Sequence, residues 1–138
     1  MNTFHLTVLA ADKPFYDGPC ETLRFPGTDG HYGVQAYHRN MITAIVPGTL
    51  RFRAPEGAEQ VAAISEGLIK VEDNHVLILA DTIERPEEID ANRARRDADE
   101  AREILLQKRS LQDHHTARAR MVRALNRLHV REHWIDNV

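Results

Sequence analysis

The stretch Asp81-Thr82-Ile83-Glu84-Arg85-Pro86-Glu87-Glu88-Ile89-Asp90-Ala91-Asn92-Arg93-Ala94 decides the fold, because the grammar of the chain changes inside it. All seven glycines and all six prolines lie at or before Pro86, and none follows Glu87. Short apolar runs broken by Gly and Pro read as strands and turns, whereas a long unbroken segment with apolar residues every three or four positions reads as helix. The chain is therefore predicted to be α+β: an N-terminal antiparallel β-sandwich over residues 1–86, followed by a C-terminal two-helix antiparallel hairpin over 87–138. At the junction Asp90 and Arg93 stand three residues apart at a helix start, where unpaired N–H groups and the helix dipole favour anions.

Upstream of the junction, Phe4, Leu6 and Val8 alternate with Thr3, His5 and Thr7, the period-two pattern of a strand with one buried face. Similar runs recur at Leu23 and Phe25, Met41 to Val46, Leu50 and Phe52, Val61 to Ile64, Leu68 to Val71 and Val76 to Ala80. Turn signals separate them, at Asp17-Gly18-Pro19, Pro26-Gly27, Asp29-Gly30, Pro47-Gly48, Pro55-Glu56-Gly57, Glu66-Gly67 and Asp73-Asn74. Many short strands at regular spacing predict a sandwich or barrel. His31, Tyr32, Tyr37 and His38 crowd one stretch with Gly30 and Gly33, which reads either as an exposed contact loop or as a hairpin whose aromatics complete the core.

Downstream, Ala94, Ala98, Ala101 and Leu105 form one helical stripe, and Ala117, Met121, Ala124 and Leu128 another. Each buried methyl contributes only about 0.8 kcal/mol against about 1.5–3 for a buried leucine. Ordering a backbone costs roughly 1–2 kcal/mol per residue, so such a hairpin is marginal on its own. The intervening Lys108-Arg109-Ser110-Leu111-Gln112-Asp113 contains no helix breaker, and a continuous long helix is also accessible. Arg120, Arg123, Arg127 and Arg131 follow at spacings of three and four and lie along one helical face. That stripe either pairs with Glu100 and Glu103 of the first helix or recognises phosphates or a partner's acidic segment.

Net charge is −3, but its distribution is uneven: residues 1–86 hold 7 bases and 11 acids, and residues 109–138 hold 6 and 3. A nucleic-acid-binding domain would be more basic throughout, so no nucleic-acid partner is expected. The single Cys20 has no internal disulfide partner, and Met1 to Lys13 lacks the pattern of a secretory signal, which points to a reducing cytoplasmic setting. With no apolar run of roughly 18 residues, membrane association is expected to be indirect.

His129-Val130-Arg131-Glu132-His133 matches the H-x-x-E-H pattern of inverted zinc peptidases. Only Trp134 to Val138 follow, which supplies no third ligand within a folded domain, and neither a metal site nor catalysis is expected. His114 and His115 are adjacent on a helix and diverge. No phosphate-loop or nucleophile-elbow motif is present.

Taken in order, Phe15-Tyr16-Asp17-Gly18, the Gly30 to His38 segment, Ser65-Glu66-Gly67-Leu68-Ile69-Lys70-Val71, Val76-Leu77-Ile78-Leu79-Ala80-Asp81, Ile89-Asp90 with Arg93-Ala94, and Arg123-Ala124-Leu125-Asn126-Arg127-Leu128 resemble successive blocks of the epsilon subunit of the F-type ATP synthase. The resemblance implies a non-catalytic central-stalk subunit of a proton-driven rotary motor, peripheral on the cytoplasmic face of a bacterial membrane. Its sandwich would join the gamma subunit to the c-ring, and its helices would restrain ATP hydrolysis when extended against the catalytic beta and alpha subunits. It requires no cofactor, and ATP is a regulatory ligand in members that bind it.

The same resemblance carries a nucleotide motif onto Glu84, Ile89, Asp90, Arg93, Ala94, Arg123 and Arg127. Asp90 would meet the ribose or the adenine amino group and the arginines the phosphates, while a plain helix cap paired with Arg93 is the alternative for Asp90. Glu100 departs from nucleotide-binding relatives that carry arginine there, and a carboxylate would repel phosphate. Asp29, Gly30, His31 and Tyr32 match the edge touching the c-ring, where His31 replaces an acid and could make the contact pH-sensitive. His38 matches the segment facing gamma. Arg120, Arg123, Arg127 and Arg131 match the inhibitory contact with beta. A free-standing ATP-sensing module with the same two parts is the competing reading.

Overall fold

A computed structural model describes residues 2–106 and 111–135. Contacts divide the chain into two compact units, Met1–Glu84 and Arg85–Val138. The first holds ten strands: β1 (Phe4–Ala10), β2 (Pro14–Cys20), β3 (Thr22–Gly27), β4 (Gly30–Gln35), β5 (Met41–Ile45), β6 (Gly48–Arg53), β7 (Glu59–Ile64), β8 (Gly67–Glu72), β9 (His75–Ala80) and β10 (Ile83–Glu84). They form two five-stranded sheets, ordered β2-β1-β9-β8-β5 and β10-β7-β6-β3-β4.

Alternation builds the core. Leu6, Val8, Ile69 and Ile78 of the first sheet and Leu23, Phe25, Leu50, Phe52 and Ile64 of the second are all fully buried, and each contributes about 1.5–3 kcal/mol. Two tight details fix the register. Asp73 and Asn74 both adopt positive φ, 49° and 64°, the left-handed pair required by a two-residue hairpin between twisted strands. At Gly67 a Cβ would fall 2.1 Å from the carbonyl oxygen of Leu79, so β8 meets β9 closely enough only because this residue has no side chain.

The predicted fold class holds, with refinements inside it. The ladder between β1 and β9 is parallel, with Leu6 opposite Val76 and Val8 opposite Ile78, while the other ladders are antiparallel. Asp17-Gly18-Pro19 is not a turn but part of β2, an edge strand where proline removes no ladder bond. Gly30 to Gln35 is likewise a strand, so the crowded aromatic stretch begins as the second arm of the β3–β4 hairpin.

In the second unit a 3-10 turn at Pro86–Glu88 leads to α1 (Ala91–Leu106) and α2 (Leu111–Ile135). Buried Ala94, Ala98 and Ala101 of α1 and Ala117, Ala124 and Val130 of α2 form the seam, with Ile89 buried at its base. Ion pairs place the helices antiparallel: Arg95 meets Glu132, whereas Asp97 and Glu100, further along α1, meet Arg120, further back on α2. Lys108, Arg109 and Ser110, read above as a weak turn, lie outside the described residues.

Candidate functional site

The helix start at Asp90 is built by capping. Its carboxylate Oδ1 accepts the backbone N–H of Arg93 at 3.1 Å, and its carbonyl accepts the first intrahelical bond from Ala94 at 3.0 Å. These bonds, led by the Arg93 N–H and joined by that of Asn92 and the charges of Arg96 and Arg93, hold the exposed Asp90 carboxyl below the ordinary range. The bond comes from the Arg93 backbone, so the cap leaves the exposed guanidinium of Arg93 available. Ile89 and Ala94 are buried and act as packing residues. Glu84 belongs to the first unit, where it pairs with Ala63 at the end of β10.

The four arginines of α2 divide by role. Arg120 donates to Asp97 at 3.0 Å and to Glu100 at 2.6 Å, and its side chain is 34% exposed. Arg131 donates through Nε to the carbonyl of Ile89 at 2.8 Å, tying the end of α2 to the residue before the cap. Arg123 and Arg127 are half-buried on the same helix. Glu100, the residue expected to repel phosphate, is held against Arg120, which neutralises part of that repulsion.

His129 and His133 stack with ring centroids 5.6 Å apart, as positions four apart on a helix must, and Glu132 between them reaches Arg95 at 3.3 Å. Among the described residues no cluster of three or more His, Cys, Asp or Glu side chains could hold a metal ion. Asp136 lies outside the described residues.

In the sandwich the predicted contact residues occupy opposite ends of β4. At one end lies the β3–β4 turn, where the Tyr32 hydroxyl donates to Asp29 and the Tyr32 ring stacks on Phe25 at 5.4 Å, with His31 exposed beside it. The bond to Asp29 raises the Tyr32 phenol above its ordinary value. At the other end Tyr37 has φ 63°, uncommon for a bulky residue. Its N–H is held by Asn74 Oδ1 at 2.7 Å, and His38 Nδ1 lies 2.8 Å from the carbonyl of Arg39. Tyr37 is 74% exposed. Five strand steps of about 3.3 Å separate Gly30 from Gln35, so the two ends stand about 17 Å apart.

One surface was missed from the sequence. On the outer face of the first sheet, Leu9, Leu79, Leu68 and Ala44 stand in register across four strands, with Leu77 and Ile42 in the next row. Ile42, Leu68 and Leu79 are all exposed. Contiguous exposed apolar patches are uncommon on the surfaces of soluble monomers. The signal was present in Leu68-Ile69 and Ile78-Leu79, where consecutive apolar residues leave one on each face.

A sandwich of two five-stranded sheets with exposed apolar residues on one outer face, followed by a unit of two helices with a mostly alanine seam, defines the architectural class. Comparison makes the class particular: residues 3–86 match the sequence model of the ATP synthase delta/epsilon chain β-sandwich domain. The chain belongs to the ATP synthase delta/epsilon chain family. It is 39% identical over 128 residues to the ATP synthase epsilon chain of Ruminiclostridium cellulolyticum, covering 93% of this chain and 95% of that one. With the epsilon chain of Shouchella clausii it shares 34% identity over 133 residues, 96% of this chain and 98% of the other. The expectation of an epsilon-type, non-catalytic chain agrees with these relatives.

Solved structures share the fold. A chain in the OSCP/F1/c-ring structure of the Euglena gracilis mitochondrial ATP synthase matches with a TM-score of 0.77 at 23% identity, covering 98% of this chain and 82% of that one. One in the central stalk/c-ring structure from Tetrahymena thermophila matches with a TM-score of 0.62 at 15% identity, covering 92% and 95%.

Proposed function

We propose that this chain is a central-stalk subunit of a proton-translocating F-type ATP synthase, joining gamma to the c-ring and restraining ATP hydrolysis through its helices. The turn at Asp29, Gly30, His31 and Tyr32 would face the c-ring. The end of β4 at His38 and the apolar outer face bearing Ile42, Leu68 and Leu79 would face gamma. Such a subunit sits on the cytoplasmic face of a bacterial membrane through its partners, and among the described residues no helix is long and apolar enough to cross one.

The observation that carries the regulatory part is the double commitment of the α2 arginines. In the closed hairpin Arg120 holds Asp97 and Glu100, and Arg131 holds the Ile89 carbonyl. Opening the hairpin frees the same guanidinium groups for an acidic segment of the beta subunit, with Arg123 and Arg127 on the same helix. Closed and inhibitory states therefore compete for one set of side chains, and a seam made mostly of alanine keeps them close in free energy.

ATP is the regulatory ligand this reading assigns to the closed state. Arg93, Arg123 and Arg127 would hold the phosphates, and Asp90 has acceptor capacity beyond the Arg93 N–H for a ribose hydroxyl. In the reassembled complex, replacing Arg123 and Arg127 together with alanine should relieve inhibition of ATP hydrolysis. Unchanged ATPase activity with the variant chain still bound would refute the inhibitory role. Distances between spin labels at positions 94 and 128 should shorten in distribution on adding ATP, and a single invariant distance would remove the switch.

A further inference from the structure

The outer face of the second sheet carries a charge arrangement that the fold does not require. Arg24 of β3 and Arg51 of β6 are directly opposite each other, flanked in the next row by Thr22 opposite both Gln35 and Arg53. Like charges directly opposite on adjacent strands are destabilising. Arg51 has a long contact with Glu59, 3.8 Å, and Arg53 one with Glu21, also 3.8 Å. Arg24 is exposed and makes no ion pair among the described residues.

Gly33 stands opposite Arg24 on β4, inside a strand where glycine weakens pairing. Nothing local demands it: a Cβ there would meet no atom closer than the Leu23 carbonyl oxygen at 4.0 Å, and the residue is not among the glycines with positive φ. Its effect is to leave open a groove lined by Thr22, Arg24, Gln35, Arg51 and Glu59. Glycine inside a strand often marks close approach of a ligand.

We propose that this groove binds a phosphate group, with Arg24 and Arg51 as its charged clamp and the Thr22 hydroxyl and Gln35 amide as further donors. Two planar forks side by side suit a tetrahedral oxyanion, and the bound charge would relieve the Arg24–Arg51 repulsion. Glu59 competes for Arg51 and sets the affinity low enough for exchange. The site uses none of the arginines of α2, and it stands whether or not ATP binds to the helices.

The test is titration of the isotopically labelled full chain with inorganic phosphate, followed by amide shifts. Saturable shifts are expected at Thr22, Gly33 and Gln35. Arg24→Met should weaken binding about tenfold or more, since a hydrogen bond to a charged group contributes about the free energy of one decade. The same variant should melt higher in the absence of phosphate, because it removes the like-charge pair. Gly33→Thr should block the groove while folding normally, and Glu59→Gln should tighten binding.

Shifts confined to α2, or unaltered by both Arg24→Met and Gly33→Thr, would overturn the proposal. Sedimentation with phosphatidylglycerol vesicles but not phosphatidylcholine vesicles, lost in Arg24→Met, would place the phosphate on a lipid headgroup. Phosphate shifts without sedimentation would place it on a small soluble molecule, and either result supports the site.

Discussion

Replacing Ala101 with glycine probes the proposed switch at its seam. Ala101 is fully buried between the helices, whereas Ala119 on α2 is exposed. Ala101→Gly loses one buried methyl, about 0.8 kcal/mol, and the helix preference of alanine over glycine, about 0.9 kcal/mol, together about 1.7 kcal/mol. Ala119→Gly loses only the preference, about 0.9 kcal/mol. Against a thermal energy of about 0.6 kcal/mol, the first raises the population of locally unfolded helix about eighteenfold and the second about fivefold, while the extended helical state keeps the preference, so only the lost methyl, about fourfold, moves the hairpin toward it.

Amide exchange on the full chain at neutral pH reads both numbers. Protection of the central amides of α1 and α2 should fall by those factors, while Leu6 and Ile78 in the sandwich keep wild-type protection. In the reassembled complex Ala101→Gly should also hydrolyse ATP more slowly than wild type, because the open tail is the inhibitory one. Equal effects of the two substitutions would show that the alanine seam does not hold the hairpin closed. Faster exchange in the strands as well would show that tail and sandwich unfold together. Either result refutes the reasoning.

Asp90→Ala should lower protection of Ala94 several-fold while Asp90→Asn preserves it, since asparagine caps as well as aspartate. Because the folded Asp90 carboxyl is depressed, its contribution is complete above its ordinary value of 3.8 and is lost as pH falls through the depressed one. Protection factors of wild type but not of Asp90→Asn should therefore decline below pH 3.8. Gly67→Val should destabilise the sandwich by about 1–3 kcal/mol, measured by urea unfolding, because its Cβ meets the Leu79 carbonyl oxygen at 2.1 Å. Leu68→Asp, at an exposed position, should leave the melting temperature within a degree or two of wild type and weaken co-purification with gamma about tenfold or more.

Two local properties, the loss of glycine and proline and the change of apolar period, switch together at Pro86, whereas the compact units divide after Glu84. The Asp73-Asn74 turn and the Asp90 helix start were legible because each is decided by a few adjacent residues. β2 was not, because Pro14, Gly18 and Pro19 imitate a loop, and only its position at a sheet edge makes them tolerable. The parallel β1–β9 ladder joins residues some seventy positions apart, and no local pattern encodes such a pairing. Arg24 opposite Arg51 was hidden for the same reason: each is an ordinary outward residue until the register sets them face to face.

The two units differ in what buries them, and this difference is what the proposed adaptor with a movable tail requires. The sandwich encloses Phe25, Phe52 and a set of leucines and isoleucines, so its surfaces keep their spacing under load. The hairpin encloses mainly methyl groups and is closed by ion pairs at partly exposed positions, a class of interaction whose contribution is about 0–1 kcal/mol each. A ligand or partner need supply only a few kcal/mol of preference for one state to move such an equilibrium from mostly closed to mostly open. The arginines suit the proposed opening because their guanidinium groups stay charged in both states, and in it they would exchange Asp97, Glu100 and the Ile89 carbonyl for acceptors of similar chemistry elsewhere. A leucine seam would make the closed state too stable to leave, and a tail without the cap at Asp90 would give it no defined place to begin.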